Sequence, residues 1–71
     1  MQCRPTLKQI LNHKPFDVME LAIQAKTSAY VVKLMLQHHP VSKEQAEAIL
    51  KALSEMHGIV YTRETVDVPI H

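Results

Sequence analysis

The segment from Leu21 to Lys43 reads LAIQAKTSAYVVKLMLQHHPVSK and contains neither aspartate nor glutamate. Its lysine and histidine side chains are Lys26, Lys33, Lys43, His38 and His39. A surface without acidic groups can approach a polyanion, even though the whole chain carries a net charge of only +1. The segment therefore predicts double-stranded DNA as the leading candidate partner.

Small and apolar residues recur within this segment at a spacing typical of two short helices that cross at a turn. They are Leu21, Ala22, Ala25, Val32 and Met35, and the turn between them is Ala25-Lys26-Thr27-Ser28. Ala22 is small enough for a close helix crossing, and Ser28 can cap the free backbone N–H groups of the second helix. The spacing predicts a helix-turn-helix whose second helix, at residues 28–37, enters the major groove of DNA.

Capping signals predict a helix on either side of this pair, so that the chain has four in all. Thr6 can cap a first helix, which Pro15 ends by about Lys14. Two pairs match the capping-box pattern before the second and fourth helices, namely Asp17 with Glu20 and Ser42 with Gln45. The fourth helix has a clear apolar stripe of Ala46, Ile49, Leu50, Leu53 and Met56. Gly58 is the only glycine and suits the left-handed end of that helix.

The character of the sequence changes after Gly58. Residues 59–62 and 65–68 are rich in β-branched and aromatic side chains, which predicts a short C-terminal β segment, either a hairpin or one long strand. A two-stranded ribbon is only marginally stable alone, so we expect a second copy of the chain to pair with it. The predicted dimerisation residues are Ile59, Tyr61, Val66, Val68 and Ile70.

Length and composition indicate one mainly α-helical domain with a thin core. The chain has 71 residues, 46% of them hydrophobic and 21% charged, which is ordinary for a folded domain. We divide it into a DNA-binding part at 1–58 and the β segment at 59–71. Cys3 is the only cysteine, so no internal disulfide forms, and its thiol fits a reducing compartment. No apolar run could span a bilayer and no secretory signal is evident, so a cytoplasmic protein is expected.

Enzymatic and metal-binding functions find little support in the sequence. The five histidines lack the His-x3-His spacing of a structural zinc site, and no Cys-x2-Cys pair exists. No nucleophile stands beside a base with an orienting carboxylate, so no catalytic residue is predicted. We likewise predict no cofactor and no small-molecule ligand.

From about Thr6 to His57 the chain resembles the phage-repressor and Cro-like helix-turn-helix family. The resemblance lies in the turn and crossing residues given above, together with the start of the fourth helix at Pro40-Val41-Ser42-Lys43-Glu44. That Val-Ser-x-Glu start is also similar to the Lac-repressor headpiece. The resemblance implies a dimeric regulator of transcription whose base-reading positions are Ser28, Ala29, Tyr30, Lys33 and Leu34. One departure is Lys26, which stands where the family usually has glycine, because a left-handed non-glycine residue costs roughly 1 kcal/mol.

Together these observations predict a homodimeric, sequence-specific DNA-binding regulator, with repression following from occupation of a promoter. The predicted DNA-contacting residues are Lys26, Thr27, Ser28, Ala29, Tyr30, Lys33, Leu34, Gln37, His38 and Lys43. An alternative stays open, since Ala29, Val31 and Leu34 make the third helix unusually apolar. A protein-interaction module, such as an antitoxin or an adaptor that docks this helix on a protein partner, would look similar.

Overall fold

Residues 4–71 are described by the computed structural model, and α-helices make up more than half of them. The helices are α1 at Leu7–His13, α2 at Val18–Gln24, α3 at Ala29–Leu36 and α4 at Lys43–His57. This confirms the predicted mainly α-helical class with four helices. Cys3 lies outside the described residues. In the described part of the chain, no helix has both the length and the apolar character that a membrane crossing requires.

Each helix begins at a predicted N-cap, where a side-chain oxygen accepts a hydrogen bond from the first turn. The caps are Thr6, Asp17, Ser28 and Ser42. The complete reciprocal capping box, however, forms at Thr6, whose backbone N–H donates to Gln9 Oε1 at 2.9 Å. At Ser42 it is the hydroxyl that donates to Gln45 Oε1, at 3.1 Å, and not the backbone N–H as in a complete box. The predicted boxes at Asp17 and Ser42 are therefore only half made.

Two helices end at left-handed residues that are not glycine. Lys26 has φ = 58° after α2, and Thr27 N–H donates to Ala22 O at 2.9 Å, which closes a Schellman motif. His38 has φ = 63° after α3, and His39 N–H donates to Leu34 O, also at 2.9 Å. The left-handed Lys26 was expected, but no signal in the sequence marked His38. Both residues carry roughly 1 kcal/mol of backbone strain, whereas α4 ends at Gly58 as predicted.

The core lies between α2, α3 and α4, and α1 closes it against α3. Its fully buried large side chains are Leu7, Leu21, Met35, Ile49, Leu50, Leu53, Val32, Val41 and Val66. The apolar spacing predicts burial of four residues at the helix crossing and two on the stripe of the fourth helix, and all six are buried, namely Leu21, Ala22, Val32, Met35, Ile49 and Leu53. Ala22 is 3% exposed, as a small residue at a close crossing should be.

The C-terminal residues 59–71 form neither the predicted hairpin nor the predicted long strand. They contain a turn, in which Val66 N–H donates to Thr62 O at 2.9 Å, and two isolated parallel bridges, Thr6 with Asp67 and Val41 with Ile70. The segment passes the residues that precede α1 and those that precede α4, and it pairs with each of them at a single residue. Burial against the chain's own core therefore outweighs its β-propensity.

Val66 is fully buried in this core, and three more predicted dimerisation residues pack against it, namely Tyr61, Val68 and Ile70. The chain's own helices therefore cover most of this segment without a second copy, and dimerisation through its residues stays a prediction. The apolar side chains of residues 61–70 thus pack against the core of their own chain.

A polar and aromatic joint attaches the beginning of this segment to the end of α4. Tyr61 N–H donates to Ser54 Oγ at 2.8 Å, and Ser54 Oγ donates to Leu50 O at 2.8 Å. The imidazole of His57 lies between two aromatic rings, with centroids 6.0 Å from Phe16 and 5.9 Å from Tyr61. Burial in this joint raises the pKa of Tyr61. These hydrogen bonds and ring contacts hold the chain against α4 where it turns back after Gly58.

Candidate nucleic-acid interface

The outer face of α3 is polar and aromatic. Tyr30, Lys33 and Gln37 follow i, i+3, i+7 spacing, so they lie along one face of the helix, and all three are exposed. Tyr30 is the most exposed of the large hydrophobic side chains on α3, with 68% of its surface accessible. The exposed Ser28 caps the same helix, and its Oγ accepts from Val31 N–H at 3.4 Å. This face presents hydrogen-bonding groups, one positive charge and an aromatic ring.

The apolar residues of α3 are turned toward the core. Val31 is 8% exposed, and Ala29 and Leu34 are partly buried against the core cluster. Of the predicted base-reading positions, Ser28, Tyr30 and Lys33 are therefore fully on the surface, whereas Ala29 and Leu34 are only partly accessible. The unusually apolar composition of α3 is explained by packing within the chain.

The turn before α3 places a second lysine beside the helix. Lys26 is exposed, while Thr27 is half-buried and uses its backbone N–H in the Schellman motif. Lys26 also borders a shallow groove of about 380 Å³, together with Lys51 and Glu55 of α4. Strained backbone residues are enriched at functional sites. Within the described part of the chain, the two left-handed non-glycine residues, Lys26 and His38, flank α3 and carry basic side chains.

Folding brings an acidic residue to the other end of α3. The carboxylate of Asp67 lies with Oδ2 at 3.4 Å from His38 Nε2 and Oδ1 at 3.8 Å from Arg4 Nη2. The segment that is free of acid in the sequence is therefore bordered by a carboxylate in space. No local signal could have revealed this, since Asp67 is distant in the sequence. Lys43, by contrast, is exposed at the first position of α4.

Among residues 4–71, the large hydrophobic side chains that are exposed belong to elements other than α3, apart from Tyr30. They are Met19 and Ile23 on α2, and Ile59 and Val60 after α4. Val60 is 78% exposed and was not among the predicted dimerisation residues. Among the described residues, no three His, Cys, Asp or Glu side chains cluster as metal ligands would.

Comparison with protein families, curated proteins and solved structures gives no significant match to this chain. The likeness to Cro-like regulators thus stays a prediction from the residues of the turn and the neighbouring helices.

Proposed function

We propose that the protein is a cytoplasmic, sequence-specific DNA-binding regulator of transcription that acts as a homodimeric repressor. The observation that carries the proposal is the outer face of α3, where Tyr30, Lys33 and Gln37 are exposed along one line. A helix of this kind fits the major groove, where side chains can reach base edges. The spacing of the α2–α3 turn and the cap at Ser28 support the same reading.

Each group has a distinct role in the proposal. Lys26, Lys33 and Lys43 contact phosphates, which supplies affinity but little sequence information. The Gln37 amide can donate to and accept from base edges, and the Tyr30 hydroxyl can do the same. The free N–H groups at the beginning of α3, next to Ser28, add the positive end of the helix dipole near a phosphate.

A protein-interaction module is the second candidate, and a different helix favours it. Met19 and Ile23 are 62% and 74% exposed, and their i, i+4 spacing puts them on one face of α2. The apolar residues of α3 no longer support such a module, since Val31 is buried and Ala29 and Leu34 pack on the core. A protein partner would therefore bind α2, and that interaction would not depend on Lys33.

Fluorescence anisotropy with random-sequence duplex DNA, measured from low to physiological salt, tests the proposal. The affinity should fall steeply with salt, because phosphate contacts release counterions. Lys33→Ala should weaken binding and reduce the salt slope by about one unit. Lys14→Ala removes the same charge from an exposed residue outside the predicted contact set, so it should change the affinity much less. Equal effects of the two variants, or no binding at low salt, would refute the assignment of α3.

A further inference from the structure

The surface between α4 and the segment that follows it forms an open groove of about 730 Å³. It is lined by Leu50 and Ser54 on the side of α4 and by Val60 and Tyr61 on the side of the following segment. Val60 is 78% exposed, and Ile59, which precedes it in the chain, is 40% exposed. The groove thus has an exposed apolar side chain, Val60, in its own lining.

The charges along the groove alternate on α4. Glu47, Lys51 and Glu55 are spaced at i, i+4, i+8, so they lie on one face of the helix, and all three line the groove. Arg63 pairs with Glu47 at 3.5 Å, and the Gln24 amide donates to Glu55 at 3.3 Å. Among the described residues, the remaining ion pairs are those of Asp67, so Lys51 has no ionic partner within its own chain.

We infer that this groove binds a second copy of the same chain, with the two α4 helices antiparallel about a two-fold axis that passes between Lys51 and Glu55. An isologous interface needs a surface that is complementary to itself. In this register each Lys51 faces Glu55 of the partner subunit, so both ion pairs form by symmetry. The same rotation carries Val60 of the partner subunit toward the Leu50 end of the groove.

The inference specifies the interface of the homodimer in the proposed function, and in that respect it rests on that proposal. It replaces the β pairing predicted from the sequence, because Val66, Val68 and Ile70 pack within the monomer. No residue of α3 lines the groove. The second copy therefore leaves Tyr30 and Lys33 free to meet DNA.

Charge reversal tests the register. Lys51→Glu leaves two acids at positions 51 and 55, and Glu55→Lys leaves two lysines, so each variant alone should be monomeric. An equimolar mixture of the two should dimerise again, since every cross-chain pair then joins opposite charges. Sedimentation velocity over micromolar to submillimolar concentrations, without DNA, measures all three samples. Circular dichroism confirms that each variant remains helical.

A substitution at the rim tests the apolar contact independently. Val60→Asp should weaken the dimer by about tenfold or more. Ile23→Asp is the matched control, because Ile23 is 74% exposed on α2 and does not line the groove. Its dimerisation should equal that of the unchanged protein.

Three results would overturn the inference: a monomeric unchanged protein, a mixture of charge variants that stays monomeric, or equal losses for Val60→Asp and Ile23→Asp. A monomer that still binds duplex DNA would reject this interface but not the DNA-binding role. A dimer that binds no DNA at low salt would reject the DNA-binding role but not this interface.

Discussion

Helix α4 and the C-terminal segment at residues 59–71 cover the same core in different ways. The helix buries a continuous stripe that includes Ile49 and Leu53, both 0% exposed, and its backbone bonds are satisfied within the helix. The C-terminal segment has one fully buried side chain, Val66, and few backbone attachments. Those along its extended part are Asp67 N–H to Pro5 O at 2.9 Å, Val41 N–H to Pro69 O at 3.2 Å and His71 N–H to Val41 O at 3.2 Å.

The difference shows that two elements covering the same core can be attached to it unequally. A helix holds each buried side chain through its neighbours, whereas the C-terminal segment has one fully buried valine, three partly buried side chains and widely spaced hydrogen bonds. We expect local opening to begin in the segment, because regions with few buried contacts have a low free energy of opening. The following predictions test that contrast.

The largest expected effect is a cavity in α4. Leu53→Ala removes a fully buried side chain and should lower the free energy of unfolding by about 2–5 kcal/mol. Val66→Ala removes fewer atoms from the C-terminal segment and should cost about 1–3 kcal/mol. Urea denaturation followed by circular dichroism measures both. If Val66→Ala has no measurable cost, the C-terminal segment is not part of the core.

Enlarging a residue should also separate the two kinds of region. Ala22→Leu places a large side chain where α2 is buried against its neighbours, and should cost about 1–3 kcal/mol through overpacking. Val68→Leu adds volume to a partly exposed residue of the C-terminal segment and should change stability by about 0.5 kcal/mol at most. Equal costs in thermal unfolding would mean that the segment is packed as tightly as the helices.

Glycine at the two strained turns should stabilise the protein. Lys26→Gly relieves a left-handed backbone, partly offset by the greater freedom of glycine in the unfolded chain, for a net gain of about 0.5–1 kcal/mol. His38→Gly should gain less, because it also removes the contact with Asp67 of the C-terminal segment. Gly58→Ala is the opposite control and should destabilise the end of α4. A loss of stability in Lys26→Gly would show that the lysine side chain contributes more than the strain costs.

The smallest effect concerns DNA affinity and the acid that folding brings to α3. Asp67→Asn removes a negative charge beside His38 while the backbone bond from Asp67 to Pro5 remains. Within the proposed function, DNA affinity should rise about two- to fivefold at low salt. Glu20→Gln makes the same change of charge at an exposed residue of α2 that lies outside both the predicted DNA-contacting residues and the groove beside α4, and it serves as the control. An equal rise in both variants would point to net charge alone.

Most of the helical framework was predictable, because its signals are local. Thr6, Asp17, Ser28 and Ser42 cap helices in the structure as the sequence indicates, and Gly58 ends α4. The exposed positions of Tyr30 and Lys33 follow from the same helical periodicity. The C-terminal segment was not predictable in this way, since β-branched residues suit any extended, half-buried backbone and do not specify its partner.

By itself, the sequence determined where helices begin and end and which of their faces are apolar, since capping and helical spacing act over a few residues. Only the tertiary structure decided which surfaces remain open. It buried Val66, exposed Val60 and set Asp67 beside His38, because each of these outcomes depends on contacts between residues far apart in the chain. The charge around the face of α3 therefore depends on the fold as a whole, even though α3 itself and its exposed face follow from its own residues.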